Sequence, residues 1–264
     1  MQRAFTKMHG LGNDFAVFDA RAQPFTPTPA QARHIADRRR GVGCDQLILI
    51  EPSTRADAFM RIFNPDGSEA EACGNATRCV ASLLGRSATI ETRAGLLRTR
   101  TIDRAVRVDM GQARFGWQEV PLAYAMDTSA LPVGWDGLAH PVALSMGNPH
   151  LVFIVPDVDA VDLAALGPVI EQDPLFPQRI NVNIVQITSE TAVRHRVWER
   201  GAGLTEACGS GACAVGAALV KRRLTHATLT VHMPGGALLI EVAEDFAVAM
   251  TGPVATAFSG VIKL

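Results

Sequence analysis

Short apolar runs bounded by turn residues dominate the chain. Asp14 to Asp19, Leu47 to Ile50 and Ala58 to Phe63 read as strands, as do Leu151 to Val155, Val182 to Ile187 and Val193 to Trp198. Later strands are expected at Ala227 to His232, Leu238 to Val242 and Ala247 to Thr251. The period changes at two places. From Asn75 to Leu84 the residues Ala76, Cys79, Val80 and Leu83 recur at helical spacing, and Ser210 to Arg223 is rich in alanine and other good helix formers. Between Gln112 and Pro141 proline, glycine and tryptophan interrupt any period, so the domain connection is expected there.

The two helical segments belong to a duplication. Arg61-Ile62-Phe63-Asn64 and Glu71-Ala72-Cys73-Gly74-Asn75 meet Arg196-Val197-Trp198-Glu199 and Glu206-Ala207-Cys208-Gly209-Ser210 at a constant offset of 135 residues. The same offset relates Gly12-Asn13 to Gly147-Asn148, Val17-Phe18 to Val152-Phe153, and Gln46 to Asn181. Half of the 264-residue chain is close to that offset, as a two-domain duplication requires. The expected fold is therefore α+β: two pseudo-symmetric halves, each a mixed sheet around a central helix, with an active-site cleft between them. The first half, carrying Cys73, is placed at 1–115, and the second, carrying Cys208, at 116–264.

Composition narrows the class. Hydrophobic residues are 48% and charged residues 19%, which suits a core-forming chain rather than a disordered one. With 25 basic against 26 acidic residues there is no basic excess for nucleic acid. No apolar run reaches membrane-spanning length, and the first residues lack the apolar core of a signal peptide, so a cytoplasmic enzyme is expected. The five cysteines, Cys44, Cys73, Cys79, Cys208 and Cys213, have neither a disulfide-framework count nor a zinc spacing, and no metal is expected. Only Lys7, Lys221 and Lys263 are lysines, and none lies in an apolar stretch that would favour a Schiff base.

Cys73 and Cys208 each stand at the expected start of a helix, where unpaired N–H groups and the helix dipole stabilise a thiolate. The same N–H groups suit a carboxylate. Two such thiols in facing halves could remove a proton from one face of a carbon and return one to the other, with no cofactor. Cys44, Cys79 and Cys213 read instead as small buried side chains. The duplication is imperfect at three ionisable positions: Glu199 faces Asn64 in register, Arg200 faces Pro65, and His150 faces Phe15. Such asymmetry suits recognition of a substrate's non-reacting end, a task that asymmetric ionisable residues can serve.

The segments Lys7-Met8-His9-Gly10-Leu11-Gly12-Asn13-Asp14-Phe15, Gly41-Val42-Gly43-Cys44-Asp45-Gln46, Phe63-Asn64-Pro65-Asp66-Gly67-Ser68 and Ala72-Cys73-Gly74-Asn75 resemble the diaminopimelate epimerase family. So do Met146-Gly147-Asn148-Pro149-His150, Arg179-Ile180-Asn181, Glu199-Arg200-Gly201-Ala202-Gly203 and Ala207-Cys208-Gly209-Ser210-Gly211-Ala212-Cys213. The resemblance implies cofactor-independent interconversion of LL- and meso-2,6-diaminopimelate, in lysine and cell-wall precursor synthesis, with Cys73 and Cys208 as the acid/base pair. It implies substrate contacts at Asn13, Gln46, Asn64, Gly74, Asn75, Asn148, Asn181, Glu199, Arg200, Gly209 and Ser210. It further implies that His150 and Glu199 tune the thiols, that the protein is a homodimer, and that the last strand, about 253–264, returns to the first half. Cys44 and Leu204 depart from the family's usual alanine and glutamate. A two-thiol racemase acting on proline or hydroxyproline is the competing enzyme reading. A two-lobed small-molecule binder is the competing non-enzyme reading.

Overall fold

The structure is a computed structural model that describes residues 2–71 and 73–264, so Ala72 of the first cysteine motif lies outside the described residues. Two compact units divide the chain: Met1–Asp109 with Thr251–Leu264, and Met110–Met250.

The first unit begins with β1 (Gln2–Gly10) and β2 (Asn13–Asp19), then α1 (Pro29–Ala36), β3 (Gln46–Glu51), β4 (Ala58–Phe63) and β5 (Glu69–Ala70). It continues through α2 (Gly74–Leu84), β6 (Ala88–Thr92), β7 (Gly95–Ile102) and β8 (Ala105–Gln112). The second unit holds β9 (Gly134–Trp135), β10 (Leu138–Ala139), β11 (Val142–Ser145), β12 (Pro149–Ile154), α3 (Leu163–Glu171), β13 (Asn181–Ser189), β14 (Ala192–Glu199) and β15 (Gly203–Thr205). There follow α4 (Gly209–Lys221), β16 (Thr228–Met233), β17 (Gly236–Val242) and β18 (Ala247–Pro253). The last strand, β19 (Ala255–Lys263), pairs antiparallel with β1.

The duplication is written in the strand pairing. In the first unit β1–β2 is antiparallel, β2–β3 parallel, β3–β4 antiparallel, β4–β6 parallel and β6–β7 antiparallel. The second unit repeats that sequence of pairings with β11–β12, β12–β13, β13–β14, β14–β16 and β16–β17. Register is kept as well: Phe15 sits opposite Gln46 as His150 sits opposite Asn181, and Leu47 opposite Phe63 as Val182 opposite Trp198. Each unit is thus a mixed α+β sheet with a buried helix. In α4 every residue from Gly211 to Leu219 is buried, which an all-round small and apolar sequence permits. In α2 the run Asn75 to Ala81 is buried, and Gly85 ends the helix in the left-handed region that glycine adopts at least cost.

Two helices were not expected. Helix α1 starts with a capping box, Thr28 accepting from the Gln31 N–H while Gln31 accepts from the Thr28 N–H, and its Ile35 and Ala32 fill the first unit's core beside Ala16, Leu47 and Leu49. Helix α3 carries Pro168 inside it, a residue that argues against a helix from sequence but is tolerated here because Leu163 and Ile170 are fully buried. The aperiodic stretch 112–141 is not a bare linker: Val120, Leu122, Leu131 and Leu138 are buried in the second unit's core with Phe153 and Ile184.

Candidate active site

Both cysteines cap a helix. Cys73 is the residue before α2, with extended backbone, and its Sγ accepts the Ala76 N–H at 3.5 Å. Cys208 stands in the same relation to α4, its Sγ accepting the Gly211 N–H at 3.4 Å. A side chain that accepts from a free first-turn N–H satisfies a donor the helix cannot, and places sulfur at the positive end of the dipole.

The first unit builds a polar shelf around Cys73. Asn13, at the start of β2, holds its Oδ1 3.9 Å from the Cys73 sulfur and accepts from Asn75 Nδ2 at 3.1 Å. Asn13 Nδ2 donates to Asp45 Oδ2 at 3.0 Å, so the amide is fixed from behind. Asp45 is held by Arg38 at 2.6 Å, and Arg38 forks onto Asp14 at 2.8 and 3.0 Å. Lys7 closes the network with Asp14 at 2.6 Å and donates to the Gly43 carbonyl. Burial alone would raise the Asp14 carboxyl, but the hydrogen bonds from Arg38 and Lys7 outweigh it and hold it at about 2. Gln46 Nε2 donates to Asn64 Oδ1 at 3.1 Å, and Asn64 Nδ2 donates to the Ser68 hydroxyl at 3.1 Å.

The second unit repeats the skeleton with different chemistry. Asn148 Nδ2 donates to Ser210 Oγ at 3.3 Å, matching the Asn13–Asn75 pair, and Ser210 Oγ lies 3.5 Å from the Cys208 sulfur. Asn181 is buried and uses both ends of its amide on backbone, Nδ2 to the Pro149 carbonyl at 2.8 Å and Oδ1 from the Arg200 N–H at 2.9 Å. Arg200 is exposed, and its guanidinium donates to the Gln178 carbonyl at 3.0 Å. Glu199 accepts from the Thr205 hydroxyl and is hydrogen-bonded to Cys208. Burial pushes the Cys208 thiol well above its ordinary value, the Glu199 charge and hydrogen bond push it further, and Ser210 and the Gly211 N–H pull the other way. The balance favours the Cys208 thiol over its thiolate. Gly74 and Gly209 are the first residues of the two helices, and neither adds a side chain beside the first-turn N–H groups.

Cys44 and Cys79 stand apart from this chemistry. Burial raises Cys44 to about 11 and Cys79 to about 12, which makes both inert packing thiols. Sequence reasoning missed several supporting groups. Asp45 lies within a motif but was not singled out. Arg78, fully buried in α2, was detectable as a lone charge on an apolar helical run. Glu171 ends α3 beneath the Glu199–Arg200 turn, accepting from Trp198 Nε1 at 2.7 Å and the Gly201 N–H at 3.0 Å. No local pattern marks it. Asn183 and His195, both buried, are described below. Among the described residues no group of three or more His, Cys, Asp or Glu is placed to hold a metal, and no helix is long and apolar enough to cross a membrane.

Comparison with known proteins bears on the same residues. The sequence profile of the diaminopimelate epimerase family matches residues 5–116 and 142–257, which take in both cysteine motifs. The diaminopimelate epimerase of Rhizorhabdus wittichii is 58% identical over 260 residues, covering 98% of this chain and 95% of its own. Those of Sphingopyxis alaskensis and Zymomonas mobilis are 55% and 53% identical, each covering 98% of this chain and 97% of its own. Among solved structures, a hydroxyproline epimerase from Agrobacterium vitis superposes with a TM-score of 0.72 at 17% identity, covering 100% of this chain and 93% of that one. A phenazine biosynthesis protein of the PhzF family from Bacillus anthracis gives 0.69 at 17% identity, with both chains covered in full. At such identity these two share the fold alone. The family profile and the curated relatives go further: the chain belongs to the diaminopimelate epimerase family of isomerases.

Proposed function

We propose that the protein interconverts LL- and meso-2,6-diaminopimelate without a cofactor, in the synthesis of lysine and peptidoglycan precursors. The observation that carries this reading is the repetition of one site skeleton: a helix-capping thiol, a first-turn N–H on its sulfur, and an asparagine bound to the second residue of the helix. Cys73 and Cys208 would serve as the two bases, one removing the α-proton as thiolate while the other delivers a proton as thiol from the opposite face. The backbone N–H groups at the first turns of α2 and α4, at Gly74, Asn75, Gly209 and Ser210, suit the α-carboxylate, whose oxygens gain charge as the proton leaves. Glu199 keeps Cys208 protonated until it is needed. Asn13, Gln46, Asn64, Asn148 and Asn181 line the substrate's path or brace those that do. Arg200 would exchange the Gln178 carbonyl for the distal carboxylate, to which its planar fork is better suited.

The test is conversion of LL-diaminopimelate by the purified protein with no cofactor added. An LL/meso mixture should form, proline should be untouched, and Arg200→Met should lose most activity on diaminopimelate but little more on an analogue lacking the distal carboxylate. Racemisation of proline in place of diaminopimelate would overturn the substrate assignment. The reading includes a cytoplasmic homodimer; the exposed apolar side chains Phe258 and Val261 on β19 support an interface there. Sedimentation equilibrium should give twice the 28.2 kDa chain mass, and a single chain mass would contradict it.

A further inference from the structure

A chain of buried polar side chains runs through the second unit to the Cys208 sulfur. His195 Nε2 lies 3.1 Å from Asn183 Oδ1, and Asn183 Nδ2 lies 3.3 Å from His150 Nδ1. His150 Nε2 is 2.9 Å from Asn148 Oδ1, and Asn148 Nδ2 is 3.3 Å from Ser210 Oγ, itself 3.5 Å from Cys208 Sγ. Asn183 Nδ2 also donates to the Leu151 carbonyl at 2.9 Å, so the amide cannot be reversed, and its Oδ1 must accept from His195. His195 therefore carries its proton on Nε2. Its buried Nδ1 has no hydrogen-bond partner, which leaves a bare lone pair instead of an orphaned N–H. His150 accepts on Nδ1, so it too carries its proton on Nε2 and donates to Asn148. Burial holds both imidazoles at about 3, hence neutral; His195 and Arg200 add to the effect on His150. With Asn148 donating to its oxygen, the Ser210 hydroxyl is free to aim its hydrogen at sulfur. Every bond then points toward Cys208.

The first unit keeps the same strand pairings without this cluster. The register-equivalent positions in the first unit are Phe15, Ile48 and Met60, all apolar and all buried, where the second has His150, Asn183 and His195. A buried polar group left unsatisfied is costly, so an apolar trio is the safer core. The helix start also conforms to the cluster: a Cβ on Gly211 would lie 2.7 Å from Asn183 Oδ1 and 3.3 Å from His195 Cε1.

We propose that Asn183 and His195 are positioning residues that fix the His150 tautomer and the Asn148 amide, and so turn the Ser210 hydroxyl toward Cys208 to stabilise its thiolate. This rests on the acid/base role of Cys208 proposed above, but its test needs no substrate. The groups facing Cys208 are Glu199 from β14, and Ser210 and the Gly211 N–H from α4; those facing His150 are Asn148, Asn183, His195 and Arg200. The readout is the pH midpoint of iodoacetamide alkylation at Cys208, followed by mass spectrometry, with Cys73 in the same sample as reference. The midpoint, unlike the rate, does not depend on how open the site is. His195→Met should raise the Cys208 midpoint by about one pH unit, a tenfold loss of thiolate at fixed pH, and leave Cys73 unmoved. His195→Gln, which keeps a donor, should restore it. Ser210→Ala should produce the same rise, and His195→Met added to it should produce no more. Asn183→Ser gives the same comparison if His195→Met does not fold. An unmoved Cys208 midpoint, a joint shift of both cysteines, or additive shifts in the double variant would overturn the proposal.

Discussion

At the scale of single residues, the two half-sites differ in what stands beside the sulfur. Cys73 faces the neutral Asn13 amide, whereas Cys208 is hydrogen-bonded to Glu199. A carboxylate beside a buried thiol penalises the thiolate, which in the proposed two-base scheme makes Cys208 the resting acid. Glu199→Gln removes the charge but keeps the shape. Its Cys208 thiol should titrate lower and alkylate faster at neutral pH, while epimerisation falls by roughly ten- to a hundredfold because the acid is no longer held ready. Alkylation at unchanged speed would mean that burial alone, the largest cause, sets the thiol's state. These roles were partly legible in sequence. Glu199 and His150 stood out because their register partners, Asn64 and Phe15, are not ionisable. Asn183 and His195 break the duplication in the same way, against Ile48 and Met60, but His195 lies between Arg194 and Arg196 and Asn183 shares its strand with Asn181 and Gln186, so neither stands out from its polar neighbours as buried.

At the scale of elements, β12, β13 and β14 carry His150, Asn183 and His195 into a common buried layer. Two imidazoles held at about 3 make this layer sensitive to acid. Their folded values lie below the unfolded value near 6.5. The stability they contribute is complete above about pH 6.5 and is lost as pH falls toward 3, at about 2 kcal/mol per imidazole by pH 5. Urea unfolding should therefore weaken between pH 7 and pH 5, and less so in a His195→Met protein. A wild-type midpoint that is flat over that range would contradict the burial of these rings. The strands themselves were readable because their apolar runs are bounded by turns. Helix α3 was not, because Pro168 masks it and its retention depends on Leu163 and Ile170 finding the second unit's core. Helix α1 carried its signal in Thr28 and Gln31, a cap that hydrophobic period alone does not register.

At the scale of the whole molecule, one duplication explains most of what the sequence disclosed. A constant offset predicted equivalent cysteines, and the structure answers with equivalent pairings and registers in each unit. The part that stayed hidden lies between the repeats: the aperiodic stretch that packs Val120, Leu122, Leu131 and Leu138 into one core through long-range contacts that no local pattern encodes. The central claim is that two thiols work on one carbon from opposite faces. Its most direct measurement is LL-diaminopimelate in deuterated water, with no cofactor, sampled at early conversion. Two monoprotic bases predict α-deuterium in the meso product and protium in the recovered LL substrate, since the proton removed by one thiol is not the one supplied by the other. Deuterium appearing equally in product and recovered substrate would show a single base working on both faces, and would contradict the account.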